Sequence, residues 1–428
     1  RTGQYGFYFA TGQGADFTNG SGQGTDMVIH ESRKYGFARL LKMKIAEAQK
    51  KAGRRPAPWV HVNDVAGFIG PEVFRNREQL VRCCLEDIVM GKLHGLTIGL
   101  DICSTLHMDV SLDDLDWCQD RIMPANPAYL MALPTKNDPM LGYLTTAFQD
   151  HVRLREKFGF SVNDRMWTFF KSLGVIDAKG NPTSHFGDPL WVWYKYRRAK
   201  GDKRPRTEIT REGKKKMQEV RDRGVYIASG YNHKVWKMEA ALDREIRTLY
   251  EDSKKCIWIE LVPSFIAAIP DAVLLKSRST DRTDYILHPQ TGEELDHESL
   301  LTLKRLKEKR NKTCQVQIVI SDGLNAAAIM DQGHLAPYLA TLKHHLQKKN
   351  MKLAPEILVL CGGRVRAGYR IGETLFGDPA DTDGHKAVIH IIGERPGTMH
   401  HTFSAYITAP EASVWEKAGI DHNITRVV

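Results

Sequence analysis

The chain has 428 residues, of which 42% are hydrophobic and 26% are charged, and its formal net charge is +10. This length and hydrophobic fraction predict a globular chain with two or three domains and exclude a disordered one. No run of about 18 apolar residues occurs, so the sequence predicts no membrane-spanning helix.

The first part of the chain alternates short apolar strands with helices. Strands are predicted at 5–9, 59–68, 95–102 and 128–133, and the helices that follow them at 26–51, 71–92, 111–123 and 143–158. Repeated strand–helix alternation indicates a parallel sheet with crossover helices. Polar or glycine-rich loops come directly after each strand, which is where such folds build active sites.

This alternation predicts half of a barrel. A closed (β/α)8 barrel needs eight strand–helix units, and the pattern changes after four. We therefore predict an α/β fold in which residues 1–193 are the C-terminal half of a (β/α)8 TIM barrel, with its last four strands. Because the chain starts at Arg1 within an organised motif, we expect a missing N-terminal piece. An open doubly wound sheet is the alternative, since four strands could also begin such a sheet.

A mostly helical segment follows. Helices are predicted at 164–173, 210–223 and 300–311, and prolines interrupt an apolar stretch at 257–274. We assign residues 194–312 to a helical extension and linker. Much of the positive charge lies at 195–216, where we favour a solvated helix face over a phosphate-binding patch, because no nucleic-acid motif accompanies it.

Residues 313–428 are predicted to form a second α/β domain. Its strands are expected at 315–321, 356–361 and 386–392, and each is followed by a loop that contains glycine. Glycines at strand ends let the backbone approach a ligand closely, which gives this domain a Rossmann-like character. Because no GxGxxG motif is present, a dinucleotide is not implied.

Short motifs in a fixed order connect both parts to one family. They are TGQG, GFIGPE, MGK, TTAFQDH, ISDGL, GRV, IGE and IGERPG. In these motifs the chain resembles ethanolamine ammonia-lyase: residues 1–193 are similar to the C-terminal part of the large subunit, and residues 313–428 to the cobalamin-binding part of the small subunit. The resemblance implies an adenosylcobalamin-dependent radical lyase, with both subunits fused, that converts ethanolamine into acetaldehyde and ammonia.

The resemblance also assigns a substrate site. Asp101 matches the family's amine-binding Asp and is the expected catalytic residue, and a carboxylate at a strand end suits a small ammonium. Phe68 matches a wall of the substrate pocket. Ala10 stands where the family has an amine-binding Glu, and a methyl group cannot accept a hydrogen bond. We therefore expect a fragmentary copy impaired by Ala10, which would be an altered residue, the mark of a natural pseudoenzyme or a sign of a changed substrate.

Contacts to adenosylcobalamin are implied on both parts. On the barrel side they are Thr18, Val65 and Met140, and on the small-subunit side they are Val365 and Glu394. The family's Cys contact falls near Ile424, where this chain departs from the pattern. The motif D-x-H-x-x-G, which marks a protein His on the cobalt, is incomplete at 383–388. We therefore expect the cofactor's own base to stay on the cobalt.

The expected partners are ethanolamine as small-molecule substrate and further copies of the chain in a homo-oligomer, with neither nucleic acid nor a membrane. The seven cysteines fit neither a zinc site nor a disulfide framework, which indicates a reducing, cytoplasmic compartment; a bacterial microcompartment is left open. No metal site is predicted. A non-catalytic cobalamin-binding protein (a pseudoenzyme) is the alternative function, which Ala10 favours and Asp101 opposes.

Overall fold

The computed structural model describes residues 7–12, 27–56, 60–66, 75–223, 236–310, 314–331, 333–377, 386–398, 402–410, 415 and 426–427. The strands in this part of the chain form one sheet of four strands and one of six, and helices pack against both. The prediction of a mixed α/β chain with parallel sheets is therefore confirmed.

The first sheet contains four parallel strands in the order of the chain. They are β1 (Phe7–Gly12), β2 (Val60–Ala66), β3 (Thr97–Ile102) and β4 (Tyr129–Leu130). Parallel neighbours need crossover connections. These contain α1 (Met27–Lys51), α2 (Arg77–Leu93) and α3 (Leu112–Ile122), and α4 (Phe148–Phe158) follows the last strand.

The two faces of the first sheet differ in polarity, because successive residues of a strand point to opposite sides. One face is apolar and joins the helices in a core cluster that includes Val60, Val62, Ile98 and Leu100. On the other face, His61, Asn63 and Asp101 are buried, with 4%, 4% and 6% of their surface exposed. Buried polar groups need hydrogen-bond partners, and the Tyr129 hydroxyl supplies one to the Asn63 side chain at 2.7 Å.

α2 begins later than the sequence pattern predicted. The predicted start at Pro71 lies outside the described residues, whereas Asn76 is extended and the helix starts at Arg77. The Asn76 side chain accepts a hydrogen bond from the Gln79 N–H at 3.0 Å, and the Gln79 side chain accepts one from the Asn76 N–H at 3.3 Å. This capping box satisfies two helix-terminal donors and determines where the helix begins.

α4 also begins later, at Phe148 instead of residue 143. Leu144 is extended and exchanges two backbone hydrogen bonds with Ser104, at 2.8 and 2.9 Å. This pairing holds the stretch before α4 against the chain that follows β3. Helical periodicity in the sequence does not reveal such a long-range pairing.

The middle of the chain is mostly helical. Its helices are α5 (Asp164–Leu173), α6 (Pro189–Ala199), α7 (Arg206–Arg221), α8 (Ala240–Cys256), α9 (Pro263–Ala267), α10 (Arg282–Leu287) and α11 (His297–Lys309). The basic segment of the sequence lies on α6 and α7. Within it, Asp202 pairs with Arg197 at 2.8 Å and with Arg204 at 2.6 Å, so part of the positive charge is neutralised internally.

α8 packs as part of the first core. Leu242 and Tyr250 are buried in the core cluster that covers the first sheet. The Tyr250 hydroxyl donates a hydrogen bond to the Val110 carbonyl at 2.8 Å, and Arg247 pairs with Asp113 at 2.8 Å. The helix is therefore anchored to the first sheet by burial and by a hydrogen bond, with an ion pair at its surface.

Replacing Tyr250 by Phe should lower the free energy of unfolding by about 1 kcal/mol, because the buried Val110 carbonyl loses its donor. Arg247→Ala is the matched control on the same helix. Its ion pair with Asp113 is exposed, so we expect a change within about 0.5 kcal/mol. Urea unfolding of both variants measures the difference, and a larger loss for Arg247→Ala would contradict this description of α8.

The second sheet contains six strands. They are β5 (Ala272–Lys276), β6 (Val316–Ser321), β7 (Ile357–Cys361), β8 (Ala387–Ile392), β9 (Ser404–Thr408) and β10 (Arg426–Val427). Their order is β10-β9-β8-β6-β7-β5. β5 to β8 are parallel to one another, β9 is antiparallel to β8, and β10 is antiparallel to β9. The edge strand β5 was not predicted, because its five residues lie within an apolar stretch that prolines interrupt.

Helices cover both faces of the second sheet. They are α12 (Ala326–Met330), α13 (Leu335–Lys348) and α14 (Val365–Phe376), together with α11. One core cluster joins Ile318 and Val359 to α13, and the other joins Val319 and Leu358 to α11 and α14. The parallel strands are therefore buried on both sides, as is usual for parallel sheets.

Buried Asp322 holds the strand-end loops of the second sheet together. Its carboxylate is 1% exposed and accepts hydrogen bonds from the Gly362 and Gly363 N–H groups, both at 3.1 Å. Arg282 pairs with it at 3.2 Å. A buried carboxylate with a cation and two backbone donors is satisfied by the protein itself, so Asp322 has a structural role.

The described residues give no sign of disulfide, membrane or metal chemistry. All seven cysteines lie among them, and no disulfide joins any two of them. Within the same part of the chain, no helix is long and apolar enough to span a membrane. The described side chains also contain no group of three or more His, Cys, Asp or Glu residues that could hold a metal ion.

Candidate active site

Asp101 lies near the carboxyl end of β3, on the polar face of the first sheet. Its side chain is 6% exposed and accepts a hydrogen bond from the Thr145 hydroxyl. Burial raises the pKa of the Asp101 carboxyl to about 6, while the Thr145 hydrogen bond opposes this shift and the nearby Asp138 carboxylate adds to it. Such a desolvated carboxylate is stabilised most by a cationic partner.

Thr145 belongs to a loop at 136–147 that folds back on itself. The Thr145 N–H donates to the Lys136 carbonyl at 2.9 Å, and the Asp138 N–H donates to the Tyr143 carbonyl at 2.8 Å. At the tip of the loop, the Asp138 carboxylate accepts two backbone hydrogen bonds, at 2.9 and 2.6 Å. Hairpin-like hydrogen bonds and one capping carboxylate thus define the conformation of the 136–147 loop.

Tyr143 of the same loop adds a half-buried phenol near the carboxylates. Burial raises the pKa of the Tyr143 hydroxyl, and the negative charges of Asp101 and Asp138 raise it further. The phenol therefore stays protonated at neutral pH, and the two carboxylates give the site a negative potential. A small cation is the ligand that this arrangement favours.

The tip of the 136–147 loop contacts the second sheet's region, at the loop that follows β8, through Gly142 and Gly397. A Cβ atom on Gly397 would lie 2.4 Å from the Gly142 nitrogen and 2.7 Å from the Asp138 carbonyl oxygen. Both opposing atoms belong to the backbone and cannot move aside as a flexible side chain could. These two backbone segments can therefore approach so closely only because Gly397 has no side chain.

A hydrogen bond from α8 supports this glycine contact. The Ser253 hydroxyl lies beside it and shares its proton between the Leu249 carbonyl of its own helix, at 2.8 Å, and the Pro396 carbonyl, at 3.1 Å. Pro396 comes two residues after Glu394, and Thr145 comes three residues after Gly142. The contact thus connects the loop that bonds Asp101 to the strand-end loop that carries Glu394.

Two of the predicted residues, Ala10 and Val65, can be placed by the register of the first sheet. Ala10 pairs with Asn63, and Val65 pairs with Gly12 on one side and with Asp101 on the other. Residues two apart on a strand share a face. The backbone positions 10, 65 and 101 therefore belong to the same face of the sheet.

The other predicted residues lie at the loop tip, at the second sheet or outside the described residues. Met140, at the tip of the 136–147 loop, is 40% exposed. Val365 begins α14 and Glu394 follows β8, and both are half-buried. The glycine contact joins the loop that carries Met140 to the strand-end loop that carries Glu394. Phe68 and Thr18 lie outside the described residues.

Buried His390 anchors the helix start at Val365. Its Nε2 atom lies 2.7 Å from the Ser321 hydroxyl, and its Nδ1 atom lies 3.3 Å from the Val365 carbonyl. Burial lowers the pKa of His390 to about 4, so the ring is neutral at physiological pH. A neutral imidazole can donate through one nitrogen and accept through the other, which matches these two partners.

The glycines at the strand ends of the second sheet were expected to admit a ligand, and two of them serve internal packing instead. A Cβ atom on Gly323 would lie 2.0 Å from the Gly393 carbonyl oxygen. One on Gly393 would lie 2.0 Å from the Asn325 carbonyl oxygen. At these positions the space that glycine leaves is filled by protein backbone.

Sequence reasoning missed Thr145, Asp138 and Tyr143, which surround Asp101. Thr145 entered only as part of the motif TTAFQDH, a marker of the resemblance. The available signal was their position, because all three follow the fourth strand and therefore reach the same carboxyl edge as Asp101. The polar alternation of His61 and Asn63 in β2 was a second signal for the same face.

Two buried amides in and beside the 136–147 loop lack partners. Asn137 is 3% exposed and Gln149 is 2% exposed, and neither has a hydrogen bond to either amide atom among the described residues. An unsatisfied buried polar group costs about 1–3 kcal/mol. Such amides are candidates to bind a ligand that carries amide groups of its own.

The fold and the site together define an α/β protein with a desolvated carboxylate at a parallel-strand end, next to a second α/β region. A family model described as ethanolamine ammonia lyase large subunit matches residues 1–185, and one described as ethanolamine ammonia-lyase light chain matches residues 212–420. The chain therefore belongs to the ethanolamine ammonia-lyase family, with large-subunit and light-chain segments in one polypeptide.

Individual relatives agree for each part. The large subunit of Escherichia coli (strain K12) is 36% identical over 182 residues, or 42% of this chain and 36% of that subunit. The large subunit of Salmonella typhimurium is 35% identical over 182 residues, with the same coverage. The small subunit of Bradyrhizobium diazoefficiens is 34% identical over 134 residues, or 31% of this chain and 46% of that subunit. The chain thus spans less than half the length of each of these relatives.

Proposed function

We propose that this chain is an adenosylcobalamin-dependent radical lyase that converts ethanolamine into acetaldehyde and ammonia. The observation that carries the proposal is the Asp101 carboxylate, which is buried at a strand end, accepts a hydrogen bond from Thr145 and has a pKa raised to about 6. The family match supports the reaction class. The site supplies the anionic acceptor that a small ammonium needs.

In this proposal Asp101 binds the substrate ammonium. Above its pKa the carboxylate is ionised but poorly solvated, so a cation that enters the site offsets the desolvation. Thr145 orients the carboxylate, and Asp138 adds negative potential. Binding and orientation by these side chains are the protein's contribution to the reaction.

The residues beside the glycine contact fit adenosylcobalamin. A corrin carries amide side chains that both donate and accept hydrogen bonds. Such groups would suit the partnerless amide of Asn137, next to Asp138 in the 136–147 loop, and that of Gln149 at the start of α4. We infer that Met140, Val365 and Glu394 would hold the cofactor with them. When bound, the cofactor supplies a carbon-centred radical through homolysis of its cobalt–carbon bond.

In finer detail, we propose that residues 1–193 form the last four strands of a (β/α)8 barrel and that the second sheet is Rossmann-like. The buried polar face of the first sheet supports a barrel interior. Parallel strands buried on both sides support the Rossmann-like assignment. The proposed extension is 194–312 and the proposed second domain is 313–428. The pairing of β5 with β7 supports one change to these bounds, which is to assign residues 272–276 to the second domain.

The remaining roles are proposed from the family alone. Thr18 and Val65 would contact the cofactor from the barrel side, and Phe68 would form an apolar wall that shields the radical from solvent. We propose a homo-oligomer in the cytoplasm, with a microcompartment left open. The subunit complexes that the family forms support the proposed oligomer.

Mixing the protein with adenosylcobalamin and ethanolamine should give a radical signal in electron paramagnetic resonance and release ammonia. Asp101→Ala should reduce ammonia release at least about 100-fold, because the substrate loses its anionic partner. Asp177→Ala, which removes an exposed carboxylate outside the site, is the control and should retain the wild-type rate. Equal rates for both variants would contradict the role of Asp101.

A non-catalytic cobalamin-binding protein is the second candidate, and Ala10 is the observation that favours it. The family's second amine-binding carboxylate is absent at this position. This candidate predicts that cobalamin binds but that neither the wild type nor Ala10→Glu produces a radical signal. A signal from either protein would exclude it.

A further inference from the structure

The 136–147 loop links the buried carboxylate to the contact with the second sheet's region. From Gly142 at the tip, three residues lead to Thr145, whose hydroxyl donates to Asp101. Between them, Leu144 is held on Ser104 by two backbone hydrogen bonds of 2.8 and 2.9 Å. Three residues span at most about 10 Å. We therefore expect a displacement of the tip to move Thr145 as well.

Partners hold the tip from two other directions. Gly142 has a φ of +78°, and a Cβ atom there would lie 3.0 Å from the Ser253 hydroxyl oxygen and 3.1 Å from the Gly397 nitrogen. The left-handed conformation and the crowding both require glycine at this position. α8 and the strand-end loop after β8 thus pack closely against the tip.

We propose that docking of Gly397 on the 136–147 loop positions the Asp101 carboxylate through Thr145, so that the amine site is complete only when the second sheet's region is seated on the first. Thr145 is a positioning residue, because it acts through Asp101. The proposal rests on the proposed function only for its catalytic readout. The contacts that carry the coupling are independent of any ligand.

Gly397→Ala tests the coupling without a ligand. The added methyl group would meet the Gly142 nitrogen at 2.4 Å and the Asp138 carbonyl oxygen at 2.7 Å, so the tip must shift. We expect amide hydrogen exchange at 136–147 to accelerate at least about tenfold, as measured by mass spectrometry. Gly36→Ala is the matched control, since nothing lies within 4 Å of its added methyl group, and it should leave this exchange unchanged.

Unchanged exchange at 136–147 in Gly397→Ala would overturn the proposal. Ser253→Ala provides a second test if the first variant does not fold. It removes the hydrogen bond to the Pro396 carbonyl without a clash, and exchange at 136–147 should accelerate about threefold. Wild-type exchange in a folded Ser253→Ala would likewise overturn the coupling.

Thr145→Val and Thr145→Ser test the positioning role. Valine keeps the shape of threonine but removes the hydroxyl that donates to Asp101, so kcat/KM for ethanolamine should fall about 10- to 100-fold. Serine should restore most of this loss because it keeps the hydroxyl. Equal values for the two variants would overturn the role of Thr145. No turnover by the wild type would refute the proposed function and leave the exchange result as a separate test.

Discussion

Asp101→Asn is expected to stabilise the protein at pH 8 by about 1–3 kcal/mol, although it removes the group on which the proposed activity depends. Burial raises the pKa of Asp101 from 3.8 to about 6 in the folded protein, so the ionised form is unfavourable there. A shift of two pKa units corresponds to about 3 kcal/mol. The lower end of the range allows for the Thr145 hydrogen bond, which is weaker to a neutral acceptor.

The pH dependence of this gain identifies its cause. Below about pH 3 the carboxyl is protonated in both the folded and the unfolded chain, so the difference between the two proteins is smallest there. As the pH rises from about 4 to the folded-state pKa of about 6, the wild type loses stability and the variant does not. The gain should therefore grow between about pH 4 and pH 6 and stay constant above it.

Urea unfolding of both proteins across this pH range measures the effect. Asp177→Asn is the control, because backbone and side-chain hydrogen bonds from Asn181 lower the pKa of this exposed carboxyl. Relative to the wild type, Asp177→Asn should become less stable as the pH rises, whereas Asp101→Asn should become more stable. A difference between Asp101→Asn and the wild type that is the same at both ends of the range would show that Asp101 is not a desolvated carboxylate.

Ala10→Glu is expected to raise kcat/KM for ethanolamine by about 30- to 1,000-fold, which corresponds to roughly 2–4 kcal/mol. Position 10 lies two residues before Gly12 on β1. Gly12 pairs with Val65 of β2, and Val65 pairs with Asp101 of β3. A carboxylate at position 10 would give the substrate ammonium a second acceptor and a second negative charge. Steady-state ammonia release at neutral pH measures the gain.

Ala10→Gln is the matched control for this gain. Glutamine has nearly the same size as glutamate and accepts a hydrogen bond but carries no charge, so we expect an increase of at most about tenfold. Equal rates for the two variants would contradict the charge argument. Cobalamin binding without turnover in the wild type and in both variants would favour the non-catalytic protein.

Local patterns in the sequence account for most of the fold. In β3, apolar Ile98, Leu100 and Ile102 alternate with positions on the other face, and a helix with its own apolar face follows. Such periodic signals determine strands and helices one at a time. Asp101 stands out for the same reason, because a carboxylate at the end of an apolar strand breaks the local pattern.

Contacts between distant parts of the chain account for what the sequence did not reveal. Thr145 reaches Asp101 across 44 positions of the chain, and Gly142 meets Gly397 from the other half of the molecule. These pairings depend on how the elements pack and leave no periodic trace in the sequence. The edge strand β5 was missed for a related reason, since its identity as a strand depends on its pairing with β7.

A structure of the protein with bound cobalamin is the most direct test of the proposed active site. We predict a corrin in contact with both Met140 and Glu394, with the Asp101 carboxylate directed toward the same space and still bonded to Thr145. A corrin bound away from either contact residue, or an Asp101 side chain directed away from it, would contradict the proposal.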